Sequence, residues 1–272
     1  MSDKVMSRRK FLVGTGAVLG AAGLSGLVLA ERPSPARGAG VPTPIPWPYP
    51  TDPAKQPDPV KMAGRAFEIF YNAGCAEGAW YPVIEFLAAD YADTWGTLPA
   101  NVFQYAAGGV GSWGTLCGAL NGAAALIGMV GAPGEITDEV FAWYAKTPIP
   151  SNGAERAVEA GTWTPSGAPQ PMSNMPTSIA HSQLCHASLS QWTMTSGFDL
   201  GTDEHYDRCG KLTFDVEVKT ITLLNAYFQD NNNVPVVALD PTVAACKTCH
   251  ESKALGKQAC DSCHDQTTTH AQ

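Results

Sequence analysis

Charge is scarce in this chain, and positive charge most of all. Only 15% of the 272 residues are charged, and 17 Lys and Arg stand against 25 Asp and Glu, for a net charge of −8. A nucleic-acid binder meets phosphates with a cationic surface, so that class is excluded and a basic protein partner is the better expectation. Long apolar runs are also few. Outside the N-terminus only residues 111–130 approach the length of a membrane span, and Asn121 sits in their middle. A multi-span membrane protein is therefore excluded. With 44% apolar residues, disorder is excluded for most of the chain as well. A catalytic nucleophile–base pair is missing too. Ser182, Ser188 and Ser190 lie near His186, but their spacing fits helix packing better than hydrolysis.

What is present begins with an address. Ser7-Arg8-Arg9-Lys10-Phe11-Leu12 is a twin-arginine pattern, and an uncharged, glycine-interrupted run from Phe11 to Ala30 follows it. Val28-Leu29-Ala30 offers a small-residue cleavage site, so residues 1–30 read as a signal peptide for export to the periplasm. The alternative is an uncleaved signal acting as a membrane tether. Cleavage after Ala30 leaves 13 basic against 24 acidic residues, a net charge of −11. The twin-arginine route carries folded proteins, which suits a chain that receives a cofactor before export.

The mature chain divides by composition. Residues 31–58 are proline-rich and read as an extended linker or a strap on the body. Residues 59–230 form a helical, cysteine-containing domain, and residues 231–272 a cysteine- and histidine-rich tail. The fold class is mainly α: an irregular helical body with a short, loop-rich C-terminal segment. Asp58-Pro59 looks like an N-cap with proline in first position, opening a helix over 59–72 that Gly74 breaks. A second helix is expected over 76–91 and a buried, small-residue one over 111–130. Others follow over 137–145 and 181–195, with 146–178 a covering loop. Segment 203–228 is ambiguous. Leu212, Phe214, Val216 and Val218 alternate like a strand, whereas Phe214, Val218, Ile221, Leu224 and Phe228 form a helical stripe, and length favours the helix.

The tail carries the clearest chemistry. Cys246-Lys247-Thr248-Cys249-His250 and Cys260-Asp261-Ser262-Cys263-His264 are two C-x-x-C-H sequences. Each reads as a c-type haem attachment, in which Cys246, Cys249, Cys260 and Cys263 bond the porphyrins and His250 and His264 ligate iron. A four-cysteine zinc ribbon and a pair of surface disulfides are the alternatives. Two porphyrins would supply the apolar bulk that the tail lacks. Cys75, Cys117, Cys185 and Cys209 lie in the body, where two disulfides and a four-thiolate iron–sulfur site are equally compatible with their spacing.

Four segments around these body cysteines add a resemblance. Gly74-Cys75-Ala76-Glu77-Gly78, Gly111-Ser112-Trp113-Gly114-Thr115-Leu116-Cys117-Gly118-Ala119, Leu184-Cys185-His186-Ala187-Ser188 and Arg208-Cys209-Gly210-Lys211-Leu212 occur in this order. Together they resemble the C_GCAxxG_C_C family and, with the haem tail, the split-Soret cytochromes c, over roughly residues 47–272. The resemblance implies a mainly helical homodimer with two covalent c-type haems per subunit and an iron–sulfur centre on the body cysteines. There are departures. No Cys precedes Gly74, and the closing glycine of the motif would fall at Ala79, with Gly78 one place early.

The remaining histidines are candidates for the distal haem positions, ranked His186, His270, His181, then His205. On a helix His186 would point about 100° away from Cys185, serving a second cofactor from one turn. His181 would share a face with Cys185 at i, i+4, as His205 would with Cys209. Met172 and Met175 are thioether alternatives. The functional expectation is an exported electron-transfer protein, rather than an enzyme with its own substrate, that passes single electrons to redox protein partners, with haems near a dimer interface. A redox enzyme with one open haem and a zinc-stabilised interaction module are the rivals.

Overall fold

The computed structural model describes residues 47–230, 241–250 and 257–258, all within one compact unit, Ile45–Gln272. Residues 1–46, residues 231–240 and the second C-x-x-C-H sequence with His264 lie outside the described residues, as does His270.

Helix α1, Pro59–Gly78, starts where local chemistry dictates. The Asp58 carboxylate accepts from the amides of Val60 and Lys61 at 2.9 Å, and proline fills the first helical position, where no donor is needed. Gly74 interrupts it with φ 85° and ψ 172°, values closed to most L-residues, so the chain kinks without leaving the helix axis for long. The expected helix over 76–91 is divided instead. Residues up to Gly78 finish α1, buried Trp80 turns the chain, and α2 covers only Tyr81–Ala88. Pro82 explains the break, because it cannot donate back to the preceding turn and starts a helix more readily than it continues one.

The glycine-rich run also departs from expectation. Helix α3 occupies only Gly118–Met129, while Gly108 to Ser112 and Gly114 hold positive φ in a tight loop ahead of it. Helix α4, Gly134–Lys146, agrees with the sequence reading. The covering loop contains a short helix, α5, Gly153–Glu159, and α6 begins only at Cys185, ending at Ser196. Helix α7, Asp203–Gln229, resolves the ambiguous segment in favour of helix, and α8 spans Pro241–His250. Among the described residues there is no strand, only isolated bridges at Leu116–Leu184 and Ile149–Ser178.

The strand-like alternation of 212–218 has a physical cause. Helix α7 runs through the centre of the body against α1, α3, α4 and α5, so polar Lys211, Thr213, Asp215 and Glu217 are as buried as Leu212, Phe214 and Val216. Polar groups on every side of a central helix erase the amphipathic stripe. Residues 47–58 cross the body from α3 to α7. Trp47 donates its amide to the Met129 carbonyl, Trp95 donates its indole N–H to Pro48, and Tyr49 stacks on Phe228 while donating to Asn225. No helix among the described residues is long and apolar enough to cross a membrane.

Candidate metal centre

Four cysteines far apart in sequence arrive at one place by four local devices. Cys75 follows the Gly74 kink, Cys117 is the N-cap of α3, Cys185 is the first residue of α6, and Cys209 lies in the second turn of α7. All four are free thiols. Cys75 and Cys117 are buried, and Cys185 and Cys209 half-buried.

Two close approaches make this convergence possible. A Cβ on Gly118 would stand 2.3 Å from the Cys75 sulfur, and one on Gly122 would stand 2.2 Å from the Ala76 carbonyl oxygen. Helices α1 and α3 therefore touch backbone to backbone at the pocket. The loop ahead of α3 then pairs with the approach to α6. His186 and Cys185 donate their amides to the carbonyls of Gly114 and Thr115 at 3.0 and 2.7 Å, and Cys117 donates to Gln183 at 3.0 Å. Gly109, at φ 71°, lies against the Cβ of Cys185, where any side chain would collide. Buried Glu77 holds the start of this loop, accepting from the amides of Asn101 and Phe103 at 2.7 and 2.8 Å.

The four thiols lie close enough to feel one another's charge. Burial pushes the Cys75 thiol up to about 12, the charge of Cys117 adds to the rise, and the Gly108 amide counters it. Burial raises Cys117 as well, opposed by the Tyr144 hydroxyl, the first amides of α3 and Arg208. Cys185 is raised by burial and then by Cys117, Cys209 and Cys75, with Arg208 again opposing. Ionising Cys75, Cys117 or Cys185 alone is costly. A cationic metal group that takes all four removes that cost, because it draws off the protons and compensates the charge.

Four thiols are the donor set that an iron–sulfur group takes. Tetrahedral bonds of about 2.3 Å to one ion would hold thiolates within about 4 Å of each other. Among the described residues no group of three or more Cys, His, Asp or Glu is so placed. The Nε of fully buried Arg208 lacks an acceptor, while its Nη1 lies 3.8 Å from the Cys209 sulfur, and the buried Tyr144 hydroxyl, beside Cys117 and Ser188, closes no hydrogen bond of normal geometry. Acceptor sulfur would satisfy both.

The first C-x-x-C-H sequence closes α8, Pro241–His250. Cys260, Cys263, His264 and His270 lie outside the described residues. His186 is exposed, turned away from half-buried Cys185, and its Cβ rests against Gly114 next to Trp113, which is 85% exposed. His181 is also exposed, but α6 begins after it and its φ is 53°, so the helical face it was expected to share with Cys185 does not exist. His205 does share α7 with Cys209. Its Nδ1 accepts from the Gly201 amide at 3.0 Å, and burial, then Arg208, lowers its pKa. Met175 is buried, and Met172 is held through its backbone by Asp207 and Lys211. Sequence reasoning missed Arg208, Tyr144 and Glu77. A basic residue beside a body cysteine in the sequence Arg208-Cys209 was the one available signal.

Comparison with known proteins places the chain among redox proteins. Residues 83–223 match the family profile described as "Putative redox-active protein (C_GCAxxG_C_C)". A split-Soret cytochrome c from Desulfovibrio desulfuricans is 28% identical over 223 residues, which cover 77% of this chain and 76% of that protein. A solved structure, "A novel iron centre in the split-Soret cytochrome c from Desulfovibrio desulfuricans ATCC 27774", aligns with a TM-score of 0.69 at 27% identity, covering 82% of this chain and 92% of that one. The family span contains Cys117, Cys185 and Cys209 but starts after Cys75. Within it, Cys117-Gly118-Ala119-Leu120-Asn121-Gly122 closes on a glycine as Gly74-Cys75-Ala76 does not. Cys75 joins the other three through the fold.

Proposed function

The chain belongs to the redox-active C_GCAxxG_C_C family, and from that premise we propose that it is an exported dihaem c-type cytochrome that passes single electrons through two covalent haems and an iron–sulfur centre on Cys75, Cys117, Cys185 and Cys209. The observation that carries the cluster is the four-thiol pocket with two buried donors that close no hydrogen bond of normal geometry. The paired C-x-x-C-H sequences support the haems, and the twin-arginine pattern supports periplasmic residence with the cluster inserted before export. When bound, the haems and cluster supply one-electron redox chemistry. The chain holds the thiolates in register, keeps water from Cys75 and Cys117, and presents an acidic surface to a redox partner with a basic docking face.

Metal analysis tests this directly. Two haems per chain by pyridine haemochrome are expected, with iron beyond the haem irons and acid-labile sulfide. Replacing Cys249 and Cys263 by Ser should abolish most haem attachment without removing the sulfide. Haem lost on acid–acetone extraction rejects the covalent haems, and two body disulfides by mass spectrometry reject the cluster.

Association follows from the exposed face. Trp113 and His186 are both exposed, and the His186 Cβ lies against Gly114, the residue after Trp113, so an aromatic and an imidazole are available near one place on the surface. In the proposed homodimer each tail packs its haems against the other subunit, and His186 is the leading distal ligand. His186→Ala should make one haem iron bind carbon monoxide on reduction. A reduced spectrum that stays low-spin and unresponsive removes His186 from the site, and a haem-loaded monomer with both irons six-coordinate removes the dimer.

A further inference from the structure

Arg208 is fully buried on α7, yet among the described residues no carboxylate lies within ion-pair distance of it. A buried guanidinium without a counter-ion costs several kcal/mol, so such a residue is retained only where an anion completes it. Its surroundings identify that anion. Nη2 donates to the Ser188 hydroxyl at 2.6 Å and reaches its carbonyl at 3.4 Å, which fixes the plane of the guanidinium. Nη1 faces the Cys209 sulfur at 3.8 Å, and Nε has no partner. The hydroxyl of fully buried Tyr144 reaches the same place, next to Cys117 and Ser188, without closing a hydrogen bond of normal geometry to either.

We infer that Arg208 is the charge-compensating residue of the four-thiol pocket, oriented by Ser188, and that Arg208 and Tyr144 together donate to the sulfur atoms of the group held there and set how readily that group accepts an electron. The inference rests on the iron–sulfur reading above. Four thiolates and sulfide carry more negative charge than iron offsets, and one electron adds another unit. A guanidinium in a low-dielectric pocket stabilises the reduced state most, so it raises the potential. Tyr144 adds a neutral dipole with the same sign and a smaller effect. Ser188 carries no charge and holds the fork in place.

The test compares Arg208→Met, Arg208→Lys and Tyr144→Phe with the wild type by iron and sulfide content, EPR-monitored redox titration at one pH, and the rate of cluster loss to a chelator. Arg208→Met should shift the cluster potential negative and lose the cluster about 10-fold or more faster, the scale expected when a partner of a metal ligand is removed. Arg208→Lys keeps the charge and should recover most of the potential. Tyr144→Phe removes one oxygen and should shift the potential in the same direction by less. A purely structural role would lower the melting temperature of both Arg208 variants and leave the potential where it was, and that result overturns the inference. If Arg208→Met does not fold, Tyr144→Phe and Arg208→Lys decide, and potentials equal to the wild type in both overturn it. Absence of sulfide from the wild type rejects the iron–sulfur reading itself and this inference with it.

Discussion

Glu217→Met should stabilise the protein by about 3 kcal/mol at pH 7, and the gain should grow with pH between about 4.5 and 8. Glu217 is completely buried in the middle of α7, and neither carboxylate oxygen has a hydrogen-bond partner. Burial alone pushes its pKa from the ordinary 4.5 up to about 8. Below the ordinary value both the folded and unfolded chains carry the proton, and the group contributes no pH dependence. Between the two values the unfolded chain has released the proton and the folded chain retains it, so stability falls by about 1.4 kcal/mol per pH unit. Above the folded value the penalty is fully developed and constant.

Methionine matches the length of glutamate and removes both the ionisation and the orphaned oxygens, so the variant lacks the slope. Asp207 and Asp215 are also raised, both mainly by burial, but they are common to both proteins and cancel in the difference. Tyr49, whose pKa burial and then Glu217 raise, is the ionisable neighbour to watch. For a domain of this size, 3 kcal/mol corresponds to about 10 °C in melting temperature. Melting curves from pH 5 to 8 that run parallel for the two proteins would mean that Glu217 finds a partner in solution.

Gly122→Ala and Gly128→Ala should act in opposite directions on one helix. Alanine normally stabilises a helix interior over glycine by about 0.5–1 kcal/mol. At Gly128, where a Cβ meets nothing within 4 Å, that gain should appear undiminished. At Gly122 the new methyl would sit 2.2 Å from the Ala76 carbonyl oxygen, with the carbonyl carbon at 3.1 Å. The obstacle is helix backbone, which cannot rotate aside, so the upper part of the about 1–3 kcal/mol range for overpacking applies and outweighs propensity. The same displacement moves Cys75 from Cys117, so Gly122→Ala should also lower iron and sulfide per chain. A Gly122→Ala protein with wild-type melting temperature and full sulfide would show that α1 and α3 are not in backbone contact.

Much of this molecule is legible where the chemistry is local. A twin-arginine pattern, two C-x-x-C-H sequences, an Asp58-Pro59 helix start and a Gly74 break depend on residues a few positions apart, and neighbours in the chain are enough to read them. The mainly helical class follows from periodicity in the same way. The order of the cysteine segments also carried the family resemblance. Helix boundaries at Gly118 and Cys185 were not legible, because the loop that pairs residues 114–117 with 183–186 links segments about seventy positions apart. Nor was the environment of α7. Its hydrophobic pattern is that of a helix buried on all sides, and only its packing against α1, α3, α4 and α5 shows why Lys211, Asp215 and Glu217 lie inside.

The pocket divides in the same way. The sequence alone separated the cysteines of the two C-x-x-C-H repeats from those of the body, since each repeat is written in consecutive residues. Tertiary structure decided that the four body thiols share one pocket, that Cys75 belongs with the three cysteines of the family span, and that Arg208 and Tyr144 face them. A hydrogen bond or a charge pair depends on distance in space, and four separate helices set that distance only after glycines let backbones meet.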